Sequence, residues 1–476
     1  MPVGLASGLL LAPAGLLAQS LPSRDAVAQL VRELDRAFSD GDAERYLAPF
    51  DPVHAVMHAR FAARVREVLS SGVPLVRRSA VERFWHLGGH GIALIVAETS
   101  APGLSDREPV QENSVWALRD ESGQLRIVLA ADVSASALAV LPREDLPLQP
   151  EQQIRCDACN YTIRASDDWL MVPNCSQRLG CLESFSFYSL SLDLAADLSV
   201  HVAHAESGQS PAAQLRRFVK RGEGVDSADV AIEPWLPPMY AAGNRPMYLD
   251  GARCVLEDHP NPGDRAELHL ATYGRLSYLI TVRGSAAHID ANRPAVRSLL
   301  QSFALDDPRL EPAVLVERIA GERQGGSFDG PVYENHKTGV RFAGPAGWAT
   351  RLDASFCAFD VAWAKPDGTA SLRLTALLPS QGIEHWTERA ADAALRAAWS
   401  KAGVEIVDAG GWRDGERGFA KLRLVEARSS GSAGAARSLM KVGFDRDLLV
   451  LLELSANDAA TAAGLRALLD GLSRDD

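Results

Sequence analysis

The chain has 476 residues, with 49 Lys and Arg against 61 Asp and Glu, a net charge of −12. Hydrophobic residues make up 47% and charged residues 23%, ordinary values that exclude a disordered chain, a collagen-like fibre and a small disulfide scaffold. The acidic balance argues against a nucleic-acid partner, which calls for a basic patch or stripe.

The first charged side chain is Arg24. Before it, Leu5 to Ala18 is apolar but interrupted by Gly8, Pro13 and Gly15. That is too short and too broken for a bilayer span, which takes about 20 apolar residues. Small residues at Ala12, Ala14 and Ala18 fit a cleavage site, so residues 1–18 read as a signal peptide, although without a basic start. The expectation is an exported protein, periplasmic or extracellular, with no membrane span.

Residues 24–140 read as a first domain. Ala26, Val27, Leu30, Val31, Leu34, Ala37 and Phe38 share one helix face. A turn at Asp40-Gly-Asp-Ala leads to a second helical stretch from Ala43 to about Leu69, broken at Pro49 and Pro52. Strands are predicted at 75–84, 92–99, 110–119 and 125–132. Gly88-Gly-His-Gly91 and Asp120-Glu-Ser-Gly123 are the expected hairpin turns. Gly88 to Gly91 lacks the pattern of a phosphate-binding loop.

Residues 141–155, with Pro142, Pro147 and Pro150, read as a linker. Four of the six cysteines follow at Cys156, Cys159, Cys175 and Cys181, a C-x2-C-x15-C-x5-C array. Three readings are open. Structural disulfides suit an exported chain, and four cysteines allow three pairings. Zinc suits a tetrahedral thiolate set, and Cys156-Asp-Ala-Cys159-Asn160 has the form of a knuckle turn. Redox chemistry is disfavoured, because a strand follows the pair where a thiol-activating helix is wanted. The order of preference is disulfide, zinc, redox; zinc moves first if the chain is not exported. Cys254 and Cys357 stand alone in strand segments as apolar fillers.

A second domain spans 156–307 and a third 332–476, joined by a Pro- and Gly-rich linker at 308–331 that holds a short helix over 313–320. The two domains end alike. Val296, Leu299, Leu300 and Phe303 precede Asp306-Asp307; Leu465, Leu468, Leu469 and Leu472 precede Asp475-Asp476. Each set marks one helix face, and a strand precedes each, at 278–282 and 448–452. They also open alike, with Tyr161 to Trp169 matching Val340 to Trp348. This is the pattern of an internal duplication.

The order, with Gly344-Pro-Ala-Gly-Trp348 near one start and Leu299-Leu-Gln-Ser-Phe303 at one end, resembles the PsbP-like (Mog-like) fold. The likeness departs at Ser166-Asp-Asp-Trp169 and at Leu468-Leu-Asp-Gly-Leu472. It implies an antiparallel sheet between helices, mostly in non-catalytic accessory, assembly or binding modules. The first domain, through Ala37-Phe-Ser-Asp-Gly-Asp-Ala-Glu-Arg-Tyr46, resembles the nuclear-transport-factor-2-like (polyketide-cyclase-like) cone. The fold class expected is therefore α+β, a cone followed by two α/β/α sandwiches. In cones that act as enzymes a His or Asp faces the interior, which makes Tyr46, His54, Trp85, Trp116 and Asp132, with His58, the candidates for a ligand pocket; the favoured reading is that the aromatics are core and the histidines solvated.

Trp235-Leu-Pro-Pro-Met-Tyr240 offers a contact patch through Trp235, Met239 and Tyr240, with packing on the domain's own sheet equally expected. The chain contains no H-E-x-x-H and no G-x-S-x-G. The leading expectation is a non-catalytic, exported binding or assembly protein whose partner is a protein or a small apolar ligand, with no catalytic residue and no cofactor unless the cysteines take zinc. The alternatives are an enzyme with its pocket in the cone and a zinc-stabilised cytoplasmic interaction protein.

Overall fold

The computed structural model describes residues 21–102, 109–133, 151–173, 181–202, 209–226, 230–236, 238–240, 246–307, 309–353, 359–377, 385–402, 404–415, 418–429 and 437–474. The signal-peptide reading, Cys175 and Cys357 lie outside them. The protein is α+β throughout, with antiparallel sheets and flanking helices. It forms two compact units. One holds Met1–Gln152, Ala165–Asn174 and Ser186–Ala195; the other holds Gln153–Arg164, Cys175–Phe185 and Ala196–Asp476.

In the first unit, helices α1 (Arg24–Ser39), α2 (Ala43–Leu47) and α3 (Ala55–Ser70) precede a four-stranded meander. Its strands are β1 (Val76–Leu87), β2 (His90–Ser100), β3 (Val110–Glu121) and β4 (Gln124–Asp132). Ser23 caps α1, its Oγ accepting from the Ala26 amide, and Asp42 caps α2 through the Arg45 amide. Pro49 and Pro52 end helical geometry as expected, and the chain between them runs beside β4. There the Asp51 amide donates to the Ile127 carbonyl, and the Ile127 amide donates to that of Pro49. This seats Phe50 under the sheet.

The sheet is buried on both faces. Ala93, Ile95, Trp116 and Leu118 pack with the helices, while Trp85, Ile92, Leu94 and Val115 pack on the other side with Leu170, Val172 and Leu190. That is why 92–97 reads as a continuous apolar run. Both hairpins turn on two residues of positive φ, Gly88-Gly89 and Ser122-Gly123, the type I′ geometry that matches strand twist.

In the second unit the two halves share a strand order. Leu194–Val202, Leu276–Ser285, Asp264–Tyr273 and Asp250–Glu257 are neighbours in that sequence. In the later half Ala370–Leu377, Leu448–Ala456, Arg437–Asp445 and Lys421–Ser429 repeat it. Each half also closes the same way. Ala304 and Leu305 pair with Thr162 and Tyr161, while Leu472, Ser473 and Arg474 pair with Phe342, Arg341 and Val340.

The closing helices carry the expected apolar faces. Val296, Leu299 and Phe303 are buried in one half, Leu469 and Leu472 in the other. The later closing helix is α only over Ala459–Leu465 and tightens to a 3-10 turn over Arg466–Gly471, a common ending for a helix. The first half centres on Tyr161, Tyr278 and Phe303, with ring centroids 5.2–6.0 Å apart. The later half centres on Tyr333, Phe342, Phe359 and Trp363. The segment read as the second linker contributes a helix, Pro312–Arg318, and a strand, Gly326–Asp329, that pairs with Val332–Asn335. The first linker likewise ends in a strand, Glu151–Cys156.

The hairpin glycines differ in a testable way. A Cβ at Gly88 would run into the Asp167 carbonyl oxygen, whereas at Gly89 it would meet open space. Both have positive φ, worth about 1–2 kcal/mol against Ala. Gly89→Ala should cost about that much in urea unfolding, and Gly88→Ala clearly more. Equal costs would mean that the Asp167 carbonyl does not press on the turn.

Candidate functional site

The space between the helices and the sheet of the first unit is filled by aromatic rings. Phe50 stands 5.0 Å from Phe61, 5.9 Å from Tyr46 and 6.0 Å from Trp116, centroid to centroid. Tyr46 also meets Phe38 at 5.4 Å, edge on. Burial pushes the Tyr46 phenol pKa above its ordinary value. Trp85 lies on the opposite face of the sheet. Asp132 ends β4 on the face that Ala130 and Trp116 share, where burial and then Glu112 push its carboxyl pKa up. Of the five candidate pocket residues, Tyr46 and Trp116 share the helix-side core, Asp132 ends a strand on that same face, and Trp85 faces away.

A small cleft remains, lined by Phe50, His54, Met57, His58, Phe61 and Leu129 among others. Its volume is about 30 Å³, room for about one water. His54 is only 4% exposed. It occupies the N-cap of α3 without capping it, because its ring is engaged elsewhere. Nε2 lies 2.9 Å from the Ser189 carbonyl oxygen, which can only accept, so Nε2 carries the hydrogen. Nδ1 lies 3.6 Å from an Asp193 carboxylate oxygen, and Tyr188 meets the ring edge on at 5.5 Å. Desolvation lowers the His54 pKa and outweighs the opposing pull of Ser189 and Asp193. His54 therefore holds two parts of the unit together as a neutral donor.

The densest constellation of the second unit is the C-x-x-C. Cys156 ends one strand and Cys159 precedes the next, Tyr161–Ser166, across a turn at Asp157–Asn160. The Cys159 amide donates to Cys156 Sγ at 3.2 Å. Asn160 has φ 56°, the left-handed geometry that closes a knuckle. Both cysteines are buried, and Glu183 brings its carboxylate to the same place, all three ligand atoms lying within 4.8 Å of one another. A strand follows the pair, as expected, so no helix N-terminus activates a thiol. Cys181 opens the strand Cys181–Ser189, which also carries Glu183. Glu183 was invisible to sequence reasoning, because nothing in spacing links it to Cys156.

Trp235 is half-buried, its ring 5.0 Å from His269 edge on, and its amide donates to the Gly251 carbonyl. Pro238–Tyr240 pairs with Pro246–Tyr248; the side chains of Met239 and Tyr240 lie outside the description. Cys254 is a buried thiol, its pKa pushed up to about 11 by burial and then by Glu223.

Two ionic clusters also escaped the sequence reading. Arg293 reaches both carboxylate oxygens of buried Glu267 at 2.7 and 2.8 Å, with His269 beside it. Desolvation raises the Glu267 pKa, but His269 and Arg293 outweigh it and the net shift is down. Glu223 accepts from Arg283 at 2.6 Å and lies 2.9 Å from His259 Nε2. This ties the largely exposed Asp258–Asp264 turn to its own unit.

No family model and no curated protein matches the sequence. Among solved structures, the chain is similar to cyanobacterial PsbP (CyanoP) from Synechocystis sp. PCC 6803, at 12% identity and TM-score 0.26, over 35% of this chain and 99% of that one. It is also similar to a putative calcium/calmodulin-dependent protein kinase type II association domain from Thiobacillus denitrificans, at 15% identity and TM-score 0.19, over 24% and 94%. A third is the immunity protein TplEi of Pseudomonas aeruginosa, complexed with "L" peptide, at 11% identity and TM-score 0.19, over 66% and 95%. These scores are too low to carry fold or function across. Among the described residues, no helix is long and apolar enough to cross a membrane.

His54 makes the first unit sensitive to acid. Its folded pKa is depressed, so the unfolded chain takes the proton first. The stability it contributes is complete above the ordinary imidazole value of about 6.5 and is lost as pH falls through the lower folded value. His58 and His90 shift in the same direction. Urea midpoints taken from about pH 7 to about pH 5 should fall, and His54→Gln should flatten the fall. An unchanged slope would exclude His54 as a contributor.

Proposed function

We propose that this chain is a non-catalytic binding or assembly protein, exported to the cell envelope. The observation that carries the non-catalytic reading is the filled cone. Phe38, Tyr46, Phe50, Phe61 and Trp116 occupy the space that a substrate pocket needs, and the cleft beside them is about water-sized. A small-molecule enzyme encloses its substrate in a cavity of roughly 300–1,000 Å³. The duplicated half of the second unit is consistent with a module built to present surface, since its two cores are closed by aromatic packing.

Export rests on the apolar stretch before Arg24 and on the small residues Ala12, Ala14 and Ala18 within it. Sequencing the N-terminus of the protein recovered from the exported fraction tests it; an intact Met1 there would refute cleavage. The competing enzyme reading rests on His54 and His58 at the edge of the cleft. Its difficulty is His54, buried and committed to the Ser189 carbonyl.

Phe50→Ala separates the two. If the ring is core, its removal costs about 3–5 kcal/mol in urea unfolding. A cost below about 1 kcal/mol would show a cone that tolerates an empty centre, as a ligand-binding cone does. Cross-linking of the wild-type chain in envelope extract, followed by reconstitution with the purified cross-linked component, is the direct assay of binding. Turnover of a small apolar substrate that Phe50 substitution abolishes would overturn the proposal.

A further inference from the structure

We propose that Cys156, Cys159 and Glu183 form a binding site for a thiophilic divalent cation, Zn²⁺ first among them. The site stands independently of the reading of the cone. Its three donors come from two segments separated by more than 20 residues of sequence, yet their ligand atoms lie within 4.8 Å of one another. Around a tetrahedral Zn²⁺, with bonds of about 2.0–2.3 Å, such donors stand about 3.5–4 Å apart. Small side-chain rotations therefore bring all three onto one ion.

The knuckle is already shaped for the task. The Cys159 amide donates to Cys156 Sγ at 3.2 Å, the N–H···S contact that closes the turn around the first ligand atom. Asn160 takes the left-handed conformation, and its side chain is locked from both ends. Nδ2 donates to the Asp307 carbonyl and Oδ1 accepts from the Asp307 amide, each at 2.8 Å. The Tyr278 hydroxyl donates to the Cys159 carbonyl at 2.9 Å. Cys159 and Asn160 are thus held by groups that are not ligands, the support that a metal site requires. Both sulfurs are buried, which shields a bound ion from water.

Donor chemistry selects the ion. Two thiolates exclude Mg²⁺ and Ca²⁺, which take oxygen ligands, and suit Zn²⁺ or its probe Co²⁺. On binding, each Cys S–H bond breaks, its proton leaves to solvent and an S–metal bond forms, while Glu183 binds as the carboxylate. No oxidant or reductant takes part.

The test uses the full chain, purified in reductant and stripped with chelator, then titrated with Co²⁺ and back-titrated with Zn²⁺. One equivalent should give thiolate-to-cobalt charge-transfer absorption, and Zn²⁺ should abolish it. Cys156→Ser should remove most of that absorption. Glu183→Gln, nearly isosteric, should keep the absorption but weaken Co²⁺ binding about tenfold or more. Cys254→Ser, outside the cluster, should change neither. Asn160→Gly, which preserves the left-handed turn, should bind far better than Asn160→Val. Wild-type protein without charge-transfer absorption would overturn the site. So would a disulfide at Cys156 or Cys159 in the untreated protein, shown by peptide mass mapping. Unchanged binding in Glu183→Gln would remove the carboxylate from it.

Discussion

Each half of the second unit depends on a short strand that comes back to the place where the half began. Leu305 and Ala304 hydrogen-bond to Tyr161 and Thr162, and Leu472 to Arg474 bond to Phe342, Arg341 and Val340. The pairing is only two or three residues long, yet it brings the end of the closing helix onto the opening strand. Phe303 then reaches Tyr161 and Tyr278, and Leu472 reaches the cluster around Phe342. The same return fixes the knuckle, because Asn160 is held by Asp307 just beyond the returning strand. The seating of each closing helix and the hold on the knuckle turn both follow from that return.

The first unit is organised by a different device. Its sheet is covered on both faces, so its strands carry apolar residues at successive positions and lose the alternation that usually reveals a buried side. Pro49 and Pro52 deny the chain a helix and leave it free to run along β4, which delivers Phe50 to the centre of the aromatic cluster. His54 follows immediately and spends its ring on Ser189. A residue type that suggests catalysis in sequence is here a buried fastener. The difference is made by a carbonyl supplied from 135 positions away.

Much of the architecture was legible because it is local. Helix faces such as Val27, Val31 and Leu34, and the Gly88-Gly89 turn, each depend on residues a few positions apart. The duplication was legible because both halves keep their apolar residues in register at the closing helix. What could not be read is whatever depends on partners far along the chain. The Glu267–Arg293 pair spans 26 positions and the Glu223–Arg283 pair spans 60, and neither has a spacing that singles it out. Strand edges that joined the expected linkers, at Glu151–Cys156 and Gly326–Asp329, were masked by the prolines and glycines beside them.

The amino-acid sequence by itself determined the α+β class, the repeated closing helix, the hairpin turns and the knuckle-like form of Cys156 to Asn160, since periodicity, turn chemistry and short spacing are written in neighbouring residues. Tertiary structure alone decided that Tyr46 and Trp116 share a filled core while Trp85 faces the other way, because strand alternation assigns faces only once the sheet is assembled. It alone decided that His54 is buried against a carbonyl, and that a glutamate from a separate strand stands beside the two cysteines. Those decisions require long-range closure of the chain, and closure is set by the whole packed core, not by any one segment of it.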